Sequence, residues 1–213
     1  MTHKERTLQT KNRIISNAQE LFLNNGYDET SIQELVTQSG IAKGTIFHHF
    51  ETKEDILAAV LEAYNQNIAE HMKDWLETAS PLNAKDKLTY IYNTFYIYAE
   101  YTPITNIAMQ SKSHRIVIED LRMWTNKITP LISDVIREGI VDGSINTLYP
   151  DQVAELFNLL FCIWADPVII NCTEKELTTR LKFMQHTFKA LGVDFIDQAF
   201  IDKSLDFAKD LYH

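Results

Sequence analysis

Only six glycines and five prolines interrupt the 213 residues of this chain. Both residue types break regular structure, and all-β sandwiches and barrels need them in turn clusters at short, regular intervals. Their scarcity leaves long uninterrupted stretches in which helices can form. Because 45% of the residues are hydrophobic, the chain can also bury a sizeable core. These features together predict an all-α fold.

Apolar residues recur at spacings of three and four along most of the chain, which is typical of helices with one buried face. In the first predicted helix, Ile14, Ala18 and Phe22 share such a face. Nine or ten helices are expected. The predicted segments are 10–25, 31–39, 42–50, 52–76, 85–101, 104–111, 114–138 with a kink or a restart at Thr129-Pro130, 151–164, 173–191 and 194–212.

The charge of the chain is distributed unevenly. The net charge is −9, but residues 1–13 carry Lys4, Arg6, Lys11 and Arg13 against a single acidic side chain. Since nucleic-acid affinity depends on neutralising phosphates, an acidic protein can bind DNA only through a basic or neutral region. The distribution is compatible with DNA contact at the N-terminal end alone.

The sequence favours a cytoplasmic location without a membrane partner. The first ten residues are polar and lack the apolar core of a secretory signal. The longest apolar stretch, residues 156–165, falls well short of the ~20 residues that span a bilayer. Cys162 and Cys172 have no partner pair that would complete a zinc site, and we expect both to be reduced thiols.

Residues 31–50 have the pattern of a helix-turn-helix, in which a tight turn containing Gly40 joins two short helices. The second helix of such a motif enters the DNA major groove, so its outward face must be slim and rich in hydrogen-bonding groups. Lys43 supplies charge, Gly44 allows close approach to the DNA backbone, and Thr45 can contact a base. The pattern predicts a sequence-specific DNA-binding module.

Five segments around this motif follow one another in a characteristic order. They are Ala18-Gln-Glu-Leu-Phe22, Gly26-Tyr27, Thr30-Ser31-Ile32, Gly40 to Phe50, and Lys53-Glu-Asp-Ile-Leu57. Together they resemble the TetR family of transcriptional regulators. The resemblance implies a homodimeric repressor that binds a palindromic operator and is released by a ligand. It also implies a three-helix DNA-binding domain at 8–68, joined by a fourth helix to a helical ligand-binding and dimerisation domain at 80–213.

The helix-turn-helix pattern and the resemblance together define the residues expected to contact DNA. They are Thr30, Ser31, Gln33, Ala42, Lys43, Gly44, Thr45, Phe47, His48, His49 and Lys53. By resemblance Lys53 contacts a phosphate, which the positive end of the fourth helix also favours. Ala42 departs from the family by replacing a Ser or Thr cap, whose loss costs about 1 kcal/mol. Phe47 departs by replacing a tyrosine whose hydroxyl would reach phosphate.

Six aromatic residues fall within the twelve positions from Tyr90 to Tyr101. Such a stripe is typical of a core, but six rings exceed what one buried face needs, and tyrosine suits a pocket with apolar walls and a few hydroxyls. The segment is therefore core, ligand pocket or both. An apolar effector, aromatic or with an acyl chain, is expected to contact Tyr92, Phe95, Tyr96, Met109, Met123, Trp124 and Phe161.

The resemblance places the dimer interface in a four-helix bundle formed by the last two main helices of each subunit. The apolar rows available for it are Leu156, Leu160 and Trp164 on one helix, and Leu177, Leu181, Met184 and Phe188 on the other. The two recognition helices of the dimer should then lie about 34 Å apart, one turn of DNA.

Other functions have weaker support in the sequence. The side chains of His48 and His49 point about 100° apart on a helix and make a poor chelating pair, so neither a metal nor another cofactor is expected. The chain has no HExxH motif, no glycine-rich phosphate loop and no paired nucleophile and base, so it is not expected to be an enzyme. The alternative is a helical DNA-binding protein without a small-molecule ligand, regulated by a protein partner.

Overall fold

The computed structural model describes residues 2–100, 113–167 and 169–209, except for the side chains of residues 96–100, His114 and Asp120. All regular structure in these residues is helical, which confirms the predicted all-α fold. The α-helices are α1 (His3–Asn25), α2 (Ile32–Ser39), α3 (Lys43–His49), α4 (Lys53–Thr78), α5 (Ala84–Glu100), α6 (His114–Met123), α7 (Thr129–Asp142), α8 (Pro150–Leu159), α9 (Glu174–Ala190) and α10 (Gln198–Lys209). The predicted helix at 104–111 lies outside the described residues.

The chain forms two compact units. The first contains Met1–Gln66 and Pro103–Asp120, and the second contains Asn67–Thr102 and Leu121–His213. Helices α4 and α6 therefore each contribute residues to both units. The sequence boundaries of 8–68 and 80–213 assign the start of α6 to the C-terminal domain, whereas residues 114–120 of this helix belong to the first unit.

Helix α1 begins at His3, seven residues before the predicted start at Thr10. Thr2 and Glu5 form a capping box, in which each side chain accepts a hydrogen bond from the backbone N–H of the other residue. The buried face of the helix starts only at Ile14 and continues through Ala18 to Phe22. The first turns of α1 are thus held by a local cap rather than by packing.

A tight turn fixes α3 relative to α1 and α2. Gly40 has φ 64° and ψ 17°, a left-handed conformation that glycine adopts with little strain at the end of a helix. The guanidinium of Arg13 in α1 donates a hydrogen bond to the carbonyl oxygen of Ser39 at 3.0 Å. The buried side chain of Ile41 follows directly after the turn.

An aromatic cluster forms the core of the second unit. Phe157 of α8 is 2% exposed. Its ring centroid lies 4.8–6.2 Å from the centroids of Tyr92, Phe161, Phe188, Phe195 and Phe200. Ring pairs at such distances each add about 0.5–1.5 kcal/mol beyond the burial of apolar area. The cluster therefore holds α5, α8, α9 and α10 together.

Close backbone contact joins the start of α5 to the end of α7. A Cβ atom at Gly139 would lie 2.6 Å from Ile145 Cδ1 and 2.9 Å from Ala84 Cβ, so this position requires glycine. Asp142 accepts a hydrogen bond from the backbone N–H of Ala84 at 2.9 Å. Hydrogen bonds hold the pKa of Asp142 below its ordinary value. The largest effect comes from the Ser144 side chain and a smaller one from the Ala84 N–H. Asp142 consequently caps α5 as a carboxylate.

The helix that starts at His114 does not end at Thr129-Pro130. It continues from α6 into α7 through a π-helical turn, Trp124–Ile128. The Thr129 hydroxyl donates to the carbonyl oxygen of Trp124 at 3.2 Å. Pro130 lies in the first turn of α7, a position that does not require its missing N–H. A second π-helical turn, Leu160–Trp164, extends α8 in the same way.

Candidate DNA-binding and effector-binding sites

Helix α3 presents almost its whole surface to solvent. Only Ile46 is buried, at 0% exposure, and it anchors the helix to the first unit. The exposed residues are Lys43, Gly44, Thr45, Phe47 and His48. The outward face therefore combines the small residues Gly44 and Thr45 with polar side chains and one exposed ring, which suits a helix that enters the major groove.

The two departures from the family pattern have visible consequences. Ala42 precedes α3 and provides no side-chain cap. The ring of Phe47 is 42% exposed, and the ammonium of Lys43 lies 5.8 Å from its centroid. Phe47 thus offers an apolar surface, with a cation held over it, where the family has a phenol.

Gly44 has no structural need to be glycine. A Cβ atom built at this position would meet no atom within 4 Å, and the residue has an ordinary helical conformation. Glycine in a helix costs about 1 kcal/mol relative to alanine. The subunit itself therefore does not require glycine here, and close approach to DNA is a role that would require it.

The start of α2 corrects one predicted DNA contact. Thr30 is 3% exposed, and its hydroxyl donates to the carbonyl oxygen of Gly26 at 2.7 Å, so its side chain stabilises the connection between α1 and α2 instead of facing DNA. Ser31 forms a capping box with Glu34. The Ser31 hydroxyl donates to Glu34 Oε2 at 2.8 Å and is already engaged. Gln33 is exposed and remains a predicted contact.

Lys53 also corrects the sequence prediction. Its ammonium donates to the carbonyl oxygens of Tyr27, Asp28 and Thr30 at 2.8, 3.2 and 3.1 Å, and it lies 4.3 Å from the centroid of the Tyr27 ring. An ammonium has three N–H groups, and each has an acceptor within the protein. Lys53 therefore holds the first turn of α4 against the connection before α2 and has no N–H left for a phosphate.

The adjacent histidines differ in their environments. His48 is exposed. Partial burial of His49 lowers its pKa, the charges of His48 and Lys11 lower it further, and the neutral form of His49 is therefore favoured at pH 7. The two rings lie 5.6 Å apart at 72°. Within the residues that the structure describes, no cluster of three or more His, Cys, Asp or Glu side chains could hold a metal ion.

Two basic residues next to the motif were not among the predicted site residues. Arg13 bonds to the end of α2, as described above, and the ammonium of Lys11 lies 5.7 Å from the ring of Phe50, which follows α3. Their signal in the sequence was the basic character of residues 1–13. Helical spacing alone could not show that they border the recognition helix.

The residues predicted for the effector pocket divide into two groups. Tyr92 is 4% exposed and its ring packs against those of Phe157, Phe161, Phe195 and Phe200, so it belongs to the core. Of the alternatives that the sequence left open for this segment, the structure shows the core role for Tyr92, and its contact with an effector remains a prediction.

The second group lies around Phe95. Phe95 packs edge-on against Trp124 at 5.4 Å and lies 6.2 Å from Phe161. Met123 and Phe161 are half-buried. The structure thus brings Phe95, Trp124 and Phe161 together. The side chain of Tyr96 and the whole of Met109 lie outside the described residues.

The predicted dimer rows are only partly available to a second subunit. Four of the residues are at most 1% exposed within the single chain, namely Leu177, Leu181, Met184 and Phe188. They line the face of α9 that packs on the core of its own subunit, so their assignment to the interface is wrong. A period of 3.6 residues identifies an apolar face but does not tell which neighbour covers it.

The opposite side of α9 and the neighbouring α8 carry exposed apolar side chains. Phe183 is 56% exposed, Leu159 51% and Leu156 37%. The ring of Trp164, half-buried like Leu160, packs on Phe183 at 5.6 Å. Of the predicted rows, Leu156, Leu160 and Trp164 therefore keep surface that a partner could cover.

Comparison with known proteins agrees with this geometry. Residues 14–60 match the family model described as bacterial regulatory proteins, tetR family. The regulator QacR of Staphylococcus aureus is 22% identical over 178 residues, covering 83% of this chain and 93% of that protein. The fatty acid metabolism regulator protein of Bacillus subtilis is 27% identical over 137 residues, covering 62% and 69%.

Solved structures have the same fold. RolR in complex with resorcinol gives a TM-score of 0.66 at 16% identity, covering 97% of this chain and 96% of that chain. A TetR-family transcriptional regulator of Pectobacterium atrosepticum gives a TM-score of 0.66 at 19% identity, covering 91% and 98%.

The exposed recognition helix, the tight turn before it and the matched relatives define a DNA-binding transcriptional regulator and not an enzyme. The DNA-binding part of the chain, residues 14–60, is of the type found in the tetR family of bacterial regulatory proteins. Members of this family bind DNA as dimers and respond to small molecules. No helix among the described residues is long and apolar enough to cross a membrane.

The first prediction concerns Lys53. Lys53→Ala removes three hydrogen bonds from a charged donor and should lower the free energy of unfolding by about 1.5–3 kcal/mol. Urea unfolding and hydrogen exchange at the backbone of residues 27–30 measure the effect. Lys73→Ala, which truncates an exposed lysine of the same helix, is the matched control. Unchanged stability, together with a salt dependence of DNA binding reduced by about one phosphate contact, would instead assign Lys53 to the DNA.

Proposed function

We propose that this regulator is a homodimeric repressor whose palindromic operator is released when a largely apolar small molecule binds in the second unit. The observation that carries the DNA-binding part is α3, a short helix anchored by the buried Ile46 and exposed over the rest of its surface. The effector and the release of DNA are supported by the aromatic residues of the second unit and by the relatives.

Each exposed residue of α3 has a role that fits its chemistry. Thr45 contacts a base edge or a thymine methyl group, and Phe47 makes an apolar contact of the same kind. Lys43 contacts a phosphate, and Gly44 lets the backbone of the helix approach the DNA. His48, Ala42 and Gln33 are also exposed and are assigned positioning contacts with the DNA backbone.

The dimer is proposed to form through the outward side of α8 and α9. Phe183, Leu156 and Leu159 supply exposed apolar area, and the Trp164 ring beside Phe183 extends it. The Arg180 guanidinium lies over the same indole, 5.6 Å from its centroid, and donates to the Trp164 carbonyl oxygen at 2.6 Å. This arrangement holds the ring in place, so the surface is ordered before a partner binds.

The effector is proposed to be aromatic or to contain an acyl chain. Phe95, Trp124 and Phe161 meet edge to face, and Met123 is a half-buried neighbour in sequence with an adaptable side chain. RolR was solved with resorcinol, and one relative is named for fatty acid metabolism. Both names are consistent with an apolar wall that selects ligands by shape and area.

The first turn of α4 is proposed to transmit the effector signal. Arg115 of α6 pairs with Asp55 of α4 at 2.8 Å, and the Ser113 hydroxyl donates to Glu54. Hydrogen bonds from the Thr52 side chain and, with a smaller effect, from Arg115 keep the pKa of Asp55 below its ordinary value. The ion pair of Asp55 and Arg115 therefore stays charged. Because α6 continues towards Met123 and Trp124, a ligand there would act on a helix that is bonded to α4. The response cannot exceed the difference in ligand affinity between the two states.

The second prediction tests the approach of α3 to DNA. Gly44→Ala should leave the free energy of unfolding unchanged or raise it by up to about 1 kcal/mol, because a methyl group at this position meets no atom of the subunit. The same change should weaken binding to an operator selected from random-sequence DNA. Thermal unfolding and fluorescence anisotropy measure the two effects. A variant that binds the operator like wild type would show that the DNA does not approach this position closely.

The third prediction tests the dimer surface with two phenylalanines of α9. Phe183→Asp should give a folded monomer with poor operator affinity, since it places a charge in the proposed interface. Phe188→Asp should unfold the subunit, because Phe188 is fully buried. Sedimentation and circular dichroism distinguish the two outcomes. An intact dimer of Phe183→Asp would rule out this surface.

The fourth prediction tests the effector site by operator release against a panel of phenols, acyl-chain acids and small polar compounds. Affinity should rise with apolar area, by about 0.8 kcal/mol for each buried methylene. Met123→Ala should lower effector affinity about tenfold, the equivalent of roughly 1.4 kcal/mol, while effector-free operator binding stays unchanged. Leu148→Ala, at a position 86% exposed, is the control. Release by polar compounds alone would contradict an apolar effector.

A further inference from the structure

Helix α1 extends by about two turns beyond the part that packs on its own unit. Residues 2–9 are exposed on every side, and Leu8 is 59% exposed. Short helices without a packed face are marginal in water, and here the capping box of Thr2 and Glu5 is the local stabilising feature. A helical extension whose faces are all exposed to solvent is available to bind another molecule.

The side of α1 that is buried from Ile14 onwards carries basic residues in the N-terminal extension. Helical neighbours at i+3, i+4 and i+7 lie on one face, and the buried row of Ile14 and Ala18 continues backwards through Lys11 and Thr7 to Lys4. Lys4 and Lys11 are seven residues apart and point in nearly the same direction. Where the apolar row ends, a row of lysines begins.

This lysine row starts beside the recognition helix. The ammonium of Lys11 lies 5.7 Å from the centroid of the Phe50 ring, directly after α3, and its charge contributes to the lowered pKa of His49. Lys4 lies about 10 Å further along the helix axis, at 1.5 Å per residue. That distance corresponds to roughly three successive phosphates of one DNA strand.

Charge identifies the partner that fits this row. Neither Lys4 nor Arg6 forms an ion pair with any residue that the structure describes, although the chain as a whole carries a net charge of −9. An acidic protein surface that keeps unneutralised lysines next to its recognition helix is complementary to a polyanion at that place.

We propose that the N-terminal extension of α1, residues His3 to Lys11, is a second DNA-binding element that lies along the sugar-phosphate backbone flanking each half-site. Lys11 contacts a phosphate at the edge of the half-site, and Lys4 contacts one about three nucleotides further out. These contacts carry no sequence information and set the register and the salt dependence of binding. The proposal rests on the proposed function, since it requires that α3 reads DNA.

The test measures how operator affinity depends on salt for the full chain, with duplexes that either include or lack base pairs beyond the half-sites. Lys4→Ala keeps the Thr2–Glu5 cap and should lower the slope of log K against log salt by about one, because one phosphate is no longer neutralised. On the trimmed duplex, wild type and Lys4→Ala should bind alike. Gln9→Ala, on the opposite face of the same extension, and Lys73→Ala, an exposed lysine elsewhere, should both behave like wild type.

The outcomes separate this proposal from the function on which it rests. If wild type binds the long duplex and Lys4→Ala has the same salt slope, the extension does not contact DNA and the proposal fails. A reduction of equal size on long and trimmed duplexes would also overturn it, because the phosphate bound by Lys4 would then lie within the half-site. If wild type selects no operator from random-sequence DNA, it is the proposed function that fails.

Discussion

The geometry of the first unit depends on one ammonium group. Lys53 satisfies three backbone carbonyl oxygens in the short connection between α1 and α2, where no helical partner is available for them. Two residues later, Asp55 accepts hydrogen bonds from Thr52 and pairs with Arg115. The first turn of α4 is therefore bonded both to the element that precedes the helix-turn-helix and to the start of α6. A displacement of α4 must carry the recognition helix with it or break charge-assisted bonds.

The second unit is organised by a different interaction. Rings from four helices and their connections meet around Phe157. A core of this kind is rigid because close-packed rings cannot move independently. Any response to an effector must then begin at its margin, where Met123 and Phe161 are half-buried and two π-helical turns interrupt the regular helices. Such turns are frequent at functional sites.

The distribution of charge fits a protein that meets DNA through one end. The first thirteen residues are basic, whereas the chain as a whole is acidic. An acidic body is repelled by phosphates at long range, and a basic end is attracted, so the field itself orients the encounter. The same arrangement gives the exposed start of α1 a physical role, since a polar helix that packs on nothing contributes little to the stability of its own unit.

Local interactions allowed the sequence to determine the helical fold, the turn at Gly40, and the capping boxes of Ser31 with Glu34 and Thr173 with Glu176. Each of these depends on residues within about four positions of one another. The early start of α1 is also local, because it depends on the capping box of Thr2 and Glu5, which lies outside the apolar pattern. Only the tertiary structure decided that Thr30 turns inward and that Lys53 bonds to the chain 26 residues before it.

The tertiary structure also decided which face of α9 is covered within the subunit. Leu181 and Phe188 are buried there, whereas Phe183 is exposed, although all three are apolar residues of one helix. Periodicity in the sequence states that a helix has an apolar face. It cannot state whether the core of the same chain or a second subunit covers that face, because the free energy gained by removing apolar area from water is the same in both cases.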